Sequence, residues 1–124
     1  MSPARQRSAE LAQRVASICL EHKAVDVVIL DLAGATDMTD FFVIASGTSD
    51  THVRSTAEHV IETLKREGQT VHHDEGVQQG RWVLLDFVDV VVHLFHPTLR
   101  KYYQLERLWG EAAPVPVVSQ GASA

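Results

Sequence analysis

Phe41-Phe42-Val43-Ile44-Ala45-Ser46-Gly47-Thr48-Ser49-Asp50 is the stretch that decides the fold. Its apolar half reads as a buried strand over 41–45. The small residues after it make a turn. Ser49 or Thr48 can then cap a helix, and Asp50 suits the positive end of the helix dipole. Val53, Ala57, Val60, Ile61 and Leu64 recur at helical spacing as far as about residue 67, and Gly68 is a natural stop. A strand running straight into an amphipathic helix is the first half of a βαβ unit. With a short strand expected over 70–73, the unit predicts a right-handed parallel crossover.

Toward the N-terminus, 25–30 is a short apolar, β-branched run and predicts a second buried strand. Leu11, Val15, Ile18 and Cys19 form one helical stripe, so a helix is expected over 8–22 with Ser8 as its cap. Residues 1–7 read as frayed. Toward the C-terminus, Glu75-Gly76 and Gln79-Gly80 are turn signals. Two strands follow, over 81–87 and 90–95, joined at Val88-Asp89 as an antiparallel hairpin. Pro97 suits the first turn of a last helix over 98–109, which Gly110 closes. Residues 111–124 hold Ala, Pro, Val, Ser and Gly without periodicity and read as a disordered tail. The expected order is α-β-β-α-β-β-β-α, a single α/β domain over 8–110 with a mixed sheet flanked by helices.

With 124 residues, 45% of them hydrophobic and 22% charged, the chain suits one globular domain. The single Cys19 permits no intramolecular disulfide and reads as a buried apolar side chain. No apolar run approaches the ~20 residues of a membrane span, and no signal core follows Arg5 and Arg7. The chain therefore reads as cytoplasmic. Its net charge of −5 argues against phosphate-driven nucleic-acid binding and favours a basic protein partner.

Catalytic constellations are not legible. His72 and His73 are adjacent and, on a strand, face opposite ways, so one metal ion would not bind both. Asp86 and Asp89 are spaced i, i+3, whereas a metal-holding pair on one strand face needs i, i+2. There is no nucleophile elbow, Walker loop or dinucleotide fingerprint. No cofactor and no enzyme activity are expected. The aromatics say more, because Trp82, Phe87, Phe95, Tyr102, Tyr103 and Trp109 all fall after residue 80. Alternation puts Trp82, Leu84 and Asp86 on one strand face. A last helix apolar on two sides would touch its own sheet and one further body. Spacing alone leaves these rings nearly even between core and interface.

Four blocks then carry a family resemblance. Asp40-Phe-Phe-Val-Ile-Ala-Ser-Gly-Thr-Ser49 is similar to a signature of the ribosomal silencing factor, or Iojap, family. Glu75-Gly76 with Gly80-Arg-Trp-Val-Leu-Leu-Asp86 resembles a second block, Asp89-Val-Val-Val-His93 a third, and Arg100-Lys-Tyr-Tyr-Gln-Leu-Glu-Arg-Leu-Trp109 a fourth. The resemblance covers roughly 8–112, in register. It implies a nucleotidyltransferase-like fold lacking the enzyme's metal carboxylates. It also implies binding to the large ribosomal subunit on universal large-subunit protein fourteen, a steric block of subunit joining that lowers translation under nutrient limitation, and a homodimer in the free state. Trp82, Leu84, Asp86, His93, Arg100, Tyr102 and Tyr103 would belong to the partner-binding surface. The competing readings are a nucleotidyltransferase-like enzyme and a dimeric adaptor with another partner.

Overall fold

The computed structural model describes residues 2–99 and 112–118. Within them the chain forms α1 (Pro3–Glu21), β1 (Val25–Asp31), β2 (Phe41–Ser46), α2 (Asp50–Arg66), β3 (His73–Glu75), β4 (Trp82–Asp86), β5 (Val90–Phe95) and β6 (Ala113–Val115). The six strands make one sheet in the order β3-β4-β5-β2-β1-β6. β2 runs parallel to β5, with Phe41 opposite Val90 and Ser46 opposite Phe95, and the other neighbours are antiparallel. The sheet is therefore mixed, as the sequence predicts.

β2 lies near the centre and every one of its residues is buried. A strand covered on both faces needs no polar alternation, which is why 41–45 is continuously apolar. Phe41, Val43 and Ala45 face α1 and α2, in one cluster with Val15, Ile18, Val53, Val60, Leu85 and Val92. Phe42 and Ile44 face the other way, in a smaller cluster with Leu30, Leu32 and Phe95. Among the described elements, both long helices belong to the first cluster.

α2 begins as its sequence predicts. The Ser49 hydroxyl accepts from the His52 N–H at 3.0 Å, Asp50 occupies the first turn, and Lys65 and Arg66 occupy the last. α1 differs from expectation. Ser2, not Ser8, caps it, accepting from the Arg5 N–H at 3.1 Å, and Pro3 begins the helix. Ser8 is buried one turn further in, where its hydroxyl donates to the Ala4 carbonyl. Residues 3–7 are helical because Arg5 is tied to the sheet. Its guanidinium pairs with Asp31 and Asp40 and lies 4.8 Å over the Phe41 ring. That hydrogen bond holds the Asp31 carboxyl below the usual carboxylate range.

Two further expectations are corrected. β3 sits at His73–Glu75 rather than 70–73, because its ladder starts where His73 meets Asp86. The stretch 111–124 is not wholly a tail, since Ala113–Val115 pairs with β1 as β6. Gln13 of α1 holds this segment with its carboxamide, donating to the Pro116 carbonyl at 2.8 Å and accepting from the Val118 N–H at 2.9 Å. The last helix expected over 98–109 lies outside the described residues, apart from helical residues 97–99.

Histidines join the helices at one end. His52 Nδ1 accepts from the Thr48 N–H at 2.9 Å, and its Nε2 donates to the His22 carbonyl at 2.7 Å. The His22 ring stacks on His59 at 4.9 Å. Desolvation, with the neighbouring His59 and His52, lowers its pKa. Cys19 is fully buried, and burial pushes its thiol up to about 12, so it serves as a small apolar group.

Candidate partner-binding face

β4 supplies the centre of the site. Its residues alternate as the sequence predicts: Val83 and Leu85 are buried under the helices, while Trp82, Leu84 and Asp86 point to the opposite face. Gly76 and Gly80 set the approach to β4. Both have positive φ, and a Cβ at either would meet a backbone carbonyl oxygen, Trp82's at 2.2 Å and Asp50's at 2.1 Å. The glycines therefore let the 76–80 loop lie against β4 and the start of α2.

Trp82 is 39% exposed, the one aromatic ring among the exposed large apolar residues of the described chain. It lies 5.1 Å from the Phe95 ring, and its indole N–H donates to His93 Nδ1 at 3.3 Å. His93 is 6% exposed. Phe42 meets the His93 ring edge-on at 4.7 Å, and Phe95 stacks near it at 6.2 Å. Desolvation lowers the His93 pKa to about 4, so the ring is neutral at physiological pH. An indole nitrogen can only donate, so Nδ1 is bare and the one ring proton sits on Nε2.

Beside this group lies a cleft of about 420 Å³. Leu84, Asp86 and His93 line it, together with Phe42 and Val91 from the sheet and Thr36, Met38 and Thr39 from the β1–β2 loop. Asp86 accepts from the Val88 N–H at 2.7 Å, which stabilises the tight β4–β5 turn, where Val88 has φ +76. Among the described residues, no group of three His, Cys, Asp or Glu side chains is placed to hold a metal ion. No helix there is long and apolar enough to cross a membrane.

Of the residues singled out from sequence, the fold brings Trp82, Leu84, Asp86 and His93 together on one face. Arg100, Tyr102 and Tyr103 lie outside the described residues. The sequence reading missed Thr39, Met38 and Phe42. Phe42 was within reach, because adjacent strand residues face opposite ways and Phe41 alone could serve the helix side. Thr39 carries no such signal, since only the register of β2 against β5 places it.

The family model described as "Ribosomal silencing factor during starvation" matches residues 5–123. A ribosomal silencing factor of Halalkalibacterium halodurans is 41% identical over 106 residues, covering 86% of this chain and 91% of the relative. A crystal structure of a Chromobacterium violaceum protein superposes with a TM-score of 0.76 at 34% identity, covering 92% of each chain. A more distant mouse relative, "Mitochondrial assembly of ribosomal large subunit protein 1", is 31% identical over 96 residues, covering 75% of this chain and 42% of its own length. A match of this extent, on a sheet whose aromatic face is assembled from three of the four sequence blocks, is a family property: the chain belongs to the ribosomal silencing factor family.

Proposed function

We propose that this protein is a non-catalytic translation repressor that works by occupying a surface. The sheet face that carries Trp82 docks on the large ribosomal subunit, chiefly on universal large-subunit protein fourteen, and the bound domain keeps the small subunit from joining. The repression belongs to nutrient limitation, and the protein acts in the cytoplasm, as a homodimer when free. The observation that carries this reading is Trp82, a large ring left 39% exposed beside His93 on the face away from α1 and α2. Trp is a frequent anchor of protein interfaces, and an aromatic centre with few charges suits a protein target better than phosphate. The name of the mouse relative, with its large-subunit assembly role, supports the same half of the ribosome.

Steric exclusion needs only occupancy. Purified subunits mixed with saturating protein should therefore fail to form whole ribosomes on a sucrose gradient. Trp82→Ala should restore joining and weaken large-subunit pelleting about tenfold or more, with the domain still folded. Undiminished joining in the presence of saturating wild-type protein would refute the proposal.

A further inference from the structure

Two side-chain atoms among the described residues are buried without a hydrogen-bond partner, Thr39 Oγ1 and His93 Nε2. Both residues line the same cleft. Buried polar atoms are satisfied in about nine cases of ten, so two unpaired ones around a single cavity need a reason. Water or a ligand supplies it where room exists, and 420 Å³ is ample for either.

The chemistry of the walls narrows the ligand. His93 offers an N–H at Nε2, because Trp82 occupies Nδ1 as a donor. Asp86 spends one carboxylate oxygen on the Val88 N–H, and the other has no hydrogen bond among the described residues. In the β4–β5 ladder Leu84 faces His93 and Asp86 faces Val91, so Asp86 and His93 are diagonal neighbours. The backbone positions of such neighbours lie about 7–8 Å apart, so side chains from both can reach one small group between them. Met38, Phe42, Leu84, Val88 and Val91 make most of the remaining wall apolar, and Thr36 and His72 are its further polar residues. An anion would be repelled by Asp86 and by the net charge of −5. A cation would leave the His93 proton without an acceptor. What remains is an uncharged group that accepts at one end and donates at the other.

We propose that the cleft is a recognition pocket for one carboxamide side chain, an Asn or Gln of the docked partner protein, with its oxygen on His93 Nε2, its nitrogen on Asp86 and the Thr39 hydroxyl closing the set. This rests on the docking reading above. The cleft adjoins Trp82 through His93, so a protein seated on the tryptophan presents its side chain there. The pocket gives specificity rather than bulk affinity, because a partner without the amide leaves three polar groups unpaired.

Thr39→Val separates this role from a structural one. It removes an unpaired buried hydroxyl at nearly constant volume, so the free domain should melt at the same temperature or higher. Large-subunit pelleting should nevertheless weaken at least fivefold, and His93→Phe, which keeps the ring, should weaken it as much or more. A lowered melting temperature for Thr39→Val would overturn the inference, because the hydroxyl would then serve the fold. Wild-type pelleting by both variants would also overturn it, while leaving the docking reading intact. Unchanged pelleting with altered sedimentation of the free protein would overturn it in favour of a second copy as the occupant. Failure of the wild-type protein to pellet would refute the docking reading itself.

Discussion

His93 sits where packing and ionisation conflict. Three of its sides are taken by Phe42, Trp82 and Phe95, so its charged form is poorly solvated. In the unfolded chain the ring takes a proton near pH 6.5, and in the fold only near about 4. The unfolded state therefore binds the proton first. Stability is complete above pH 6.5 and is lost as the pH falls toward 4, by roughly 3 kcal/mol in all. His22, whose pKa is also lowered, adds a loss of the same sign. Urea titrations between pH 7.5 and 4 should show this slope, and His93→Phe should flatten it. A slope unchanged in that variant would place the acid sensitivity elsewhere. Trp82, Leu84 and Asp86 were readable as one face because a strand has period two. The tautomer of His93 was not readable, because it depends on which ring lies across the β4–β5 ladder.

Elements differ in how far they explain themselves. β2 and α2 do so fully: an apolar run, a capping serine, a helical stripe and Gly68 at φ +89 all agree with the local fold. The start of α1 was legible in principle, because Ser2-Pro3 is a cap followed by a first-turn proline. The apolar stripe that marks the helix begins only at Leu11, well inside it. β6 was not legible at all. Three residues with a proline at their centre have no strand signature, and they are extended because β1 offers an edge and Gln13 holds the chain beyond. Val115 and Val117 pack half-buried against the main core. Ending the chain after residue 112 should therefore lower stability by about 1–2 kcal/mol and speed hydrogen exchange along β1. Unchanged exchange at Ile29 and Asp31 would mean the strap contributes nothing.

The whole molecule divides its work between two sheet faces. One is filled by α1 and α2 and accounts for most of the core. The other carries the aromatic group and the cleft. Because the net charge is −5, attachment to the ribosome has little phosphate neutralisation to draw on. Large-subunit affinity should fall less than about tenfold between 50 and 200 mM salt, whereas a protein making six or more phosphate contacts loses about a thousandfold. A steep salt slope in pelleting would show that RNA, not protein, is the main contact.

The rims of the sheet bear on this division. The described strand order ends at β3 and β6. β3 is wholly exposed and reads His73-Asp74-Glu75, and β6 has Pro114 at its centre. Charge on one border and a missing amide hydrogen on the other make both poor templates for an incoming strand. An adhesive surface is dangerous in a crowded cell mainly when it meets an edge that can grow without limit. On the docking proposal adhesion is confined to one face, and neither described border invites fibrillar growth.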